Sequence, residues 1–351
     1  MSPSKLDCGG ESSIIDIRQG LSTFDPVEEV TRSLRGHSLP SLLLWDDKGQ
    51  EWFDQLSQTP TYYLFHGEIE ILRLHGASMA ATVPANGMLL ELGCGAIHKT
   101  QLILSILRKQ QKPIQYFALD VSRDSLNDSV QKLKKAFQDC KFITITGLLG
   151  TYDDGVAWLS ELQHQQANQS VTIMWLGNSM CNMESQGQAS DFLARFRTAC
   201  EQAQLACRFI VSTDICQEDS KIHAAYNTPE VRRFLFNALQ ATNQHLGSNV
   251  FSYADWTIFN WLDDFDHTLH LNMTPSRDVS IPLRSPGNDN AESVVIRKGQ
   301  LLYMVSSGKW SEEAIGRIAG QAGFHVQQCW KDGAGDYGEH TRHFQASESP
   351  G

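Results

Sequence analysis

The sequence has little of what marks several common classes of protein. Its eight cysteines are scattered without a C-x-x-C pair, so their spacing indicates neither a disulfide framework nor a zinc site, and we expect reduced thiols. No apolar run approaches the ~20 residues that a membrane helix needs, and the N-terminus is too polar for a signal peptide. The net charge is −11, and lysines and arginines form no cluster. We therefore expect a cytoplasmic protein that binds neither membrane nor nucleic acid.

The composition is that of an ordinary globular protein, with 41% hydrophobic and 20% charged residues in a chain of 351. This length suggests one large domain or two smaller ones, and either can bury a sizeable core. No internal repeat is visible. Motifs, rather than composition, therefore carry the functional information.

The most informative stretch is Met-Leu-Leu-Glu-Leu-Gly-Cys-Gly-Ala-Ile-His-Lys-Thr at 88–100. An apolar run ends at Glu91 and is followed by Gly93-x-Gly95 and a helical pattern, which predicts a strand, a tight turn and a helix. Glycine lets a ligand approach the backbone closely, and the free N–H groups of the helix point into the turn. Asp120 ends the next apolar run, where an acid can bind ribose hydroxyls.

The turn lacks one element of a dinucleotide site. The pattern G-x-G-x-x-G requires a third glycine at position 98, which is His98. A nicotinamide or flavin oxidoreductase is therefore disfavoured. The pattern instead favours S-adenosylmethionine, which has no pyrophosphate to bind. It consists of Glu91, the Gly93-x-Gly95 turn and the later acid Asp120.

Apolar runs and helical patterns alternate after residue 87. Strands are predicted at 88–92, 116–120, 142–146, 171–177 and 208–213, and helices at 99–109, 122–137, 155–163 and 188–204. This alternation predicts an α/β fold with a doubly wound, mostly parallel sheet. Ligands of such sheets bind at the carboxyl ends of the strands, where the motifs converge.

The remaining segments fit no β-α unit. Residues 1–12 are predicted to be a disordered tail. Helical patterns occur at 24–34, 68–83, 222–247 and 311–322, antiparallel strands are predicted at 262–274 and 293–310, and a last strand at 339–345. We expect 13–66 and 211–307 to form a substrate-binding lobe, and 67–210 with 308–351 to form the cofactor-binding core.

Taken together, the motifs resemble the histidine-specific N-methyltransferases of ergothioneine biosynthesis and the fungal dimethylallyltryptophan N-methyltransferases. The matching segments are 14–18, 60–63, 91–95 with Lys99-Thr100, 118–122, 150–155, 176–182 and 225–227. Each segment is short, but the combination is specific and runs nearly end to end. The resemblance implies a Rossmann-type methyltransferase core that uses S-adenosylmethionine.

The resemblance also implies which residues bind the cofactor. Gly93, Lys99 and Asp120 would form its pocket, with Thr151 and Tyr152 near the adenine. Glu91, Gly95 and Gly177 complete the predicted cofactor-binding set.

For an amino-acid substrate, the resemblance places Tyr62 and Asn182 at the α-amine, and we expect these two to be the catalytic residues. Tyr226 would lie near the carboxylate, with Ser179 close by. Methyl transfer from a sulfonium needs a neutral, well-aimed amine more than a strong base. Tyrosine and asparagine suit this because neither carries a full charge.

One departure from the family bears on the substrate. In the histidine enzymes a glutamate binds the imidazole ring of the substrate, and this chain has Met304 at that position. The serine of the same segment is retained as Ser306. Losing the carboxylate removes a charge-assisted hydrogen bond, and methionine offers an adaptable apolar wall. With Trp45, Trp52 and Phe53 in the first lobe, this favours a tryptophan-derived substrate such as 4-dimethylallyltryptophan, in fungal alkaloid metabolism.

Three alternatives stay open beside this interpretation. Histidine is the first, as in ergothioneine biosynthesis, and a catalytically silent cofactor-binding partner is the second. The third is metal binding by the H-x-x-H pairs at 267–270 and 340–343, but no H-E-x-x-H accompanies them. We expect no metal.

Overall fold

The computed structural model describes residues 13–18, 26–95, 97–162, 170–283 and 292–343. The predicted tail at 1–12 lies outside these ranges. The centre is a sheet of eight strands, which are β1 Ile14–Asp16, β2 Gly87–Leu92, β3 Ile114–Asp120, β4 Ile143–Leu149, β5 Ser170–Trp175, β6 Ala206–Asp214, β13 His325–Lys331 and β14 Tyr337–His343. Their order across the sheet is β1-β4-β3-β2-β5-β6-β14-β13.

The first six strands of this sheet are parallel, and the last two are antiparallel to their neighbours. Strand β2 is buried along its whole length, as expected for a central strand covered on both faces. The strand order reverses direction beside β2, which creates a crevice at the carboxyl ends of β2 and β5. The predicted doubly wound, mostly parallel sheet is confirmed.

Helices cover both faces of the sheet. Those that follow the strands are α4 His98–Lys109, α5 Arg123–Ala136, α6 Tyr152–Ser160, α7 Gln186–Gln202 and α10 Glu312–Gln321, and α3 Tyr63–Thr82 precedes β2. Helices α3, α4 and α5 share one hydrophobic core, which contains Ile71, Ile103 and Leu126. Helices α6, α7 and α10 share the other, which contains Phe196 and Ile315.

The remaining elements form a second region beside the sheet. Its helices are α1 Pro26–Arg35, α2 Asp47–Ser57, α8 Asp219–Tyr226 and α9 Pro229–Leu246, with a 3-10 turn at Ser41–Leu44. Its strands are β7 Trp256–Ile258, β8 Trp261–Asp263, β9 Thr268–Pro275, β10 Val279–Leu283, β11 Glu292–Ile296 and β12 Leu302–Gly308. Helix α9 packs against α1 and α2, so distant parts of the chain meet here.

Several elements differ from the sequence-based expectation. The helical region at 222–247 is two helices, because Thr228 caps the second and Pro229 occupies its first turn. Strand β13 was not predicted, since its mostly exposed residues show no alternation of apolar and polar side chains. Strand β1 pairs with β4 in the large sheet, although we assigned its residues to the substrate lobe. The division into lobe and core otherwise stays a prediction.

No helix in the described ranges has both the length and the apolar character that crossing a membrane requires.

Candidate active site

The turn after β2 brings the backbone close to a tyrosine from another strand end. Gly93 and Gly95 both have positive φ, +69° and +38°, which a side chain rarely tolerates. A Cβ at Gly93 would lie 3.0 Å from the Tyr152 hydroxyl. The turn therefore packs closely against Tyr152 at Gly93 and is open at Gly95, where a Cβ would meet only the Gly93 carbonyl oxygen, at 4.0 Å.

Asp120 ends β3 beside this turn. Its carboxylate accepts hydrogen bonds from the backbone N–H of Ser122 at 3.0 Å and, more weakly, from that of Gly95 at 3.5 Å. Burial raises the pKa of Asp120, although the backbone hydrogen bonds oppose the shift. The acid is thus fixed at the strand end, where we expect it to meet the ribose hydroxyls.

Glu91 lies beneath the turn. Its oxygens accept hydrogen bonds from the Thr100 hydroxyl at 2.9 and 3.0 Å and from the Tyr116 hydroxyl at 2.5 Å. Burial raises the pKa of Glu91 to about 7. These contacts give Glu91 a structural role, tying β2 to α4 and β3; direct contact with the cofactor stays a prediction.

Thr151 and Tyr152 follow β4 and begin α6. The Thr151 hydroxyl and backbone N–H both donate to the Asp154 carboxylate at 2.8 Å, and the backbone N–H of Asp154 donates back at 3.2 Å. This capping box occupies the Thr151 side chain. Tyr152 packs against Trp175 and Phe192, which holds its hydroxyl at the glycine turn.

A buried glutamate that the sequence analysis missed joins Lys99 and Gly177. Glu68 is 1% exposed and accepts from the Lys99 ammonium at 2.9 Å, the Gly177 backbone N–H at 2.9 Å and the Ser212 hydroxyl at 2.6 Å. Its one sequence signal is an acid on the apolar face of α3, three residues before Ile71. Lys99 and Gly177 therefore lie together at the crevice between β2 and β5.

The predicted substrate residues Trp45, Phe53 and Tyr62 form a continuous aromatic cluster with Phe234 and Tyr226. The ring centroids are 5.0 Å apart for Trp45 and Phe53, 6.1 Å for Phe53 and Tyr62, and 5.7 Å for Tyr62 and Tyr226. Phe234 contacts Trp45 and Phe53 at 5.3 and 5.4 Å. Such clusters hold large rings well.

The two tyrosines at the end of the aromatic cluster stay protonated at neutral pH. Burial raises the pKa of Tyr62 well above its usual range and raises that of Tyr226 as well. Both can therefore donate hydrogen bonds, and neither is suited to act as a phenolate base.

A buried ion pair, also missed in the sequence, supports Tyr226. The Lys309 ammonium and the Asp214 carboxylate are 2.8 Å apart, and both side chains are 0% exposed. Lys309 also donates to Tyr226 at 3.0 Å and to Ser307 at 2.8 Å. A lone lysine just after the end of one strand and an acid at the end of another carry no signal that they will pair.

The segment after β5 brings three polar residues to the same place. Asn178 has φ +62°, and its side chain donates to the Ser307 hydroxyl at 3.2 Å. The Ser179 hydroxyl instead donates to the Leu176 carbonyl at 2.9 Å, so it caps the turn. Asn182 ends this 3-10 turn and is partly exposed, so its amide can meet a ligand.

In strand β12, Ser306 and Ser307 face different partners. Met304 is an extra residue in a β-bulge, because Tyr303 and Val305 pair with adjacent residues of β9. A bulge shifts the alternation of faces. The Ser306 hydroxyl accordingly bonds to the Tyr303 hydroxyl at 2.6 Å, and it is Ser307 that contacts Tyr226.

The glutamate that the resemblance leads us to expect is missing from every position of β12. Val305 lies two residues before Ser307, so it shares the face toward Tyr226. Met304 is 1% exposed within the same hydrophobic core as Tyr226. Because β12 reads Leu-Tyr-Met-Val-Ser-Ser-Gly, no position in it offers an acid to an imidazole.

Three of the four histidines of the H-x-x-H pairs have other partners, and the side chain of His343 lies outside the described part of the structure. His267 faces the Lys309 carbonyl and Asp219, His270 stacks on Trp261, and His340 bonds to Thr213. Among the residues that the structure describes, no group of three or more histidine, cysteine or acidic side chains is arranged to hold a metal ion.

Two surface clefts lie apart from the glycine turn, Asp120 and the aromatic cluster. One of about 500 Å³ is lined by α6 and α7, and another of about 290 Å³ is lined by residues that include Phe65, Arg73 and His98. Neither contains the strand-end glycines and acids, so we place the site by its chemistry rather than by cleft size.

The fold and this site define an S-adenosylmethionine-dependent methyltransferase: the glycine turn, which is open at Gly95, and the fixed carboxylate of Asp120 fit that cofactor. Residues 16–343 match the family model described as histidine-specific, S-adenosylmethionine-dependent methyltransferase. The chain belongs to this family, and it is an N-methyltransferase. The predicted reaction class and cofactor are thereby confirmed.

Individual relatives share most of the chain. It is 37% identical to N-methyltransferase dtpB of Aspergillus flavus, over 91% of this chain and 88% of the relative. Ergothioneine biosynthesis protein 1 of Neurospora crassa is 29% identical over 94% of this chain, which spans 36% of that longer protein. 4-Dimethylallyltryptophan N-methyltransferase easF of Aspergillus fumigatus is 27% identical over 90% of this chain and 93% of the relative.

Proposed function

We propose that the enzyme methylates the α-amine of an amino acid with a large aromatic side chain, a tryptophan-derived one such as 4-dimethylallyltryptophan, in fungal alkaloid metabolism. Its partner is then this small molecule and neither a nucleic acid nor a membrane. The observation that carries the proposal is the aromatic cluster that ends at the Tyr62 and Tyr226 hydroxyls. The relative named for 4-dimethylallyltryptophan is consistent with such a side chain.

The chemistry follows from the positions of a few groups. When bound, S-adenosylmethionine supplies an electrophilic methyl group, and Gly93, Asp120 and Lys99 would hold it. Tyr62 and the Asn182 amide would hold the α-amine without adding a charge to it. The amine must be neutral to attack, and holding it in line with the methyl group can lower the barrier by several kcal/mol, up to about 7–11.

Histidine is the second candidate substrate, because the family description and the ergothioneine relative both point to it. An imidazole N–H is best held by a carboxylate, and β12 contains no acid. The aromatic cluster also suits an indole ring better than a smaller, more polar imidazole.

A competition experiment separates the two candidates. The enzyme is given S-adenosylmethionine with equal amounts of histidine, tryptophan and 4-dimethylallyltryptophan, and methylated products are counted by mass spectrometry. We expect products from an indole substrate, which also reports how many methyl groups are added. Methylation of histidine alone would overturn the proposed side chain.

Two tryptophans provide a matched pair of variants for the same assay. Trp45 belongs to the aromatic cluster, whereas Trp52 lies under the charged ends of Lys48 and Arg233. Trp45→Leu should raise the KM for the indole substrate, and Trp52→Leu should leave it nearly unchanged. Equal effects of the two substitutions would contradict the role of the cluster.

A further inference from the structure

The Lys309–Asp214 ion pair calls for a functional explanation. Both side chains are completely buried, and removing two charges from water is costly enough that an apolar replacement is often as stable. Asp214 is further held by the Tyr63 hydroxyl at 2.6 Å and the Cys216 backbone N–H at 3.0 Å. The pair is thus rigidly built next to Tyr226, at the place where the aromatic cluster ends.

The hydrogen-bond donors around Lys309 can be assigned one by one. The ammonium has three N–H groups, and they reach the Asp214 carboxylate at 2.8 Å, the Ser307 hydroxyl at 2.8 Å and the Tyr226 hydroxyl at 3.0 Å. The backbone N–H of Asp214 can only donate, and it meets Asn178 Oδ1 at 2.7 Å. This contact fixes the Asn178 amide, so its Nδ2 donates to Ser307 at 3.2 Å.

These donors determine the direction of the remaining protons. The Ser307 oxygen has two lone pairs, and Lys309 and Asn178 occupy both. Its own proton must therefore point to Tyr226, whose hydroxyl oxygen is 3.1 Å away. The Tyr226 oxygen then accepts from both Ser307 and Lys309, so the Tyr226 proton is left to be donated, toward Tyr62 or toward a ligand.

We infer that Lys309, paired with Asp214, is a positioning residue that makes Tyr226 a hydrogen-bond donor to the carboxylate of the substrate. Asn178 and Ser307 complete the same array. Because both lone pairs of the Tyr226 oxygen already accept hydrogen bonds, this hydroxyl can only donate. It can therefore bind a carboxylate oxygen but cannot accept a hydrogen bond from an amine N–H. The inference rests on the proposed function, since it assumes that an amino acid binds beside Tyr226.

The test compares acids with the amines that lack only the carboxylate. Dissociation constants of tryptophan and tryptamine, and of histidine and histamine, are measured with S-adenosylhomocysteine bound, so that nothing turns over. Of tryptophan and histidine, one binds the wild-type enzyme more tightly. We expect the dissociation constant of that acid to be about 10- to 100-fold lower than that of the corresponding amine, the range that a hydrogen bond to a charged group allows. Using both pairs separates the carboxylate from the side chain.

The decisive variants remove the array without leaving a buried charge. The enzyme with Lys309→Met and Asp214→Asn should lose most of the ratio between the dissociation constants of amine and acid. The Tyr226→Phe enzyme should lose the same amount. Combining all three changes should lose no more, because Lys309 acts through Tyr226. The affinity for S-adenosylhomocysteine should stay unchanged in every variant.

Different failures have different meanings. If the Lys309→Met/Asp214→Asn enzyme keeps the acid preference, or if its loss adds to that of Tyr226→Phe, the inference about Lys309 is wrong and the proposed function stands. If the wild-type enzyme shows no acid preference with either pair, the proposed function falls and takes the inference with it. Should the double variant fail to fold, Ser307→Ala removes the donor to Tyr226 while keeping the Lys309–Asp214 pair, although it leaves one N–H of Lys309 and one of Asn178 unpaired. Retention of the full acid preference in this variant would then contradict the inference.

Discussion

The glycine turn at the cofactor end and the substrate end of the site are assembled over very different distances along the chain. The longer contacts of the cofactor end, such as that of Gly177 with Glu68 over 109 residues, join this turn to the neighbouring crevice. At the cofactor end, Gly95 and Asp120 are 25 residues apart, and Glu91 and Thr100 are 9 apart. At the substrate end, the hydrogen bond from Tyr63 to Asp214 spans 151 residues and the one from Asn178 to Ser307 spans 129.

This difference in range corresponds to a difference in chemistry. The glycine turn relies on backbone conformation and on two acids, Asp120 fixed by backbone N–H groups and Glu91 fixed by hydroxyls. The substrate end relies on side chains whose charges and protons are settled only when separate segments meet. Cofactor binding should therefore respond to backbone changes, and substrate recognition and stability to changes in the buried network.

The largest effect should come from unpairing the buried lysine. Asp214→Ala leaves the Lys309 ammonium without its counter-charge, and we expect it to lower the free energy of unfolding by about 3–5 kcal/mol. Glu313→Ala breaks an exposed ion pair with Arg317 and serves as the control, with an expected loss below about 0.5 kcal/mol. Urea unfolding measures both, and similar losses would mean that the buried pair contributes no more than a surface one.

At the cofactor end, the corresponding buried acid should act through pH. Burial raises the pKa of Glu91 to about 7 from an ordinary 4.5, so the folded state binds this proton more tightly than the unfolded chain. The associated stability is complete below about pH 4.5 and is lost as the pH rises through about 7, on the order of 3 kcal/mol in all. Urea unfolding of the wild type and Glu91→Gln at about pH 5 and about pH 8 tests this. The variant should change less with pH, and an unchanged dependence would contradict the assigned burial effect.

Two glycines separate backbone strain from cofactor binding. Gly93 and Gly299 have φ of +69° and +75°, but a Cβ at Gly93 would meet Tyr152, whereas one at Gly299 would meet nothing within 4 Å. Substitution of either by alanine should destabilise the protein by about 1–2 kcal/mol. Calorimetric titration with S-adenosylmethionine should show an affinity loss of at least about tenfold for Gly93→Ala alone. A Gly93→Ala enzyme with normal affinity would show that the turn does not face the cofactor.

The smallest expected effect tests whether the two ends are separable. Asn182→Ala removes the amide assigned to the α-amine, at a cost of about 1 kcal/mol in substrate binding. The KM for the amino acid should rise and kcat should fall, while the affinity for S-adenosylmethionine stays the same. Steady-state kinetics and a cofactor titration measure both, and a loss of cofactor affinity instead would assign Asn182 to the wrong ligand.

The same contrast explains how much could be predicted. The turn at Gly93 and the acid at Asp120 have local signatures, so the sheet, the cofactor and their place at the strand ends followed from the sequence. Lys309 has no such signature, because its partner lies on another strand. The bulge at Met304 has no local signature either, yet it decides that Ser307 rather than Ser306 faces Tyr226.

The most direct test of the proposed amine methylation is the position of the methyl group in the product. Tandem mass spectrometry of the product formed from S-adenosylmethionine and 4-dimethylallyltryptophan should place every added methyl group on the α-nitrogen. A methyl group on the indole nitrogen or on the carboxylate would show that the substrate binds in another orientation, and would contradict the roles proposed for Tyr62, Asn182 and Tyr226.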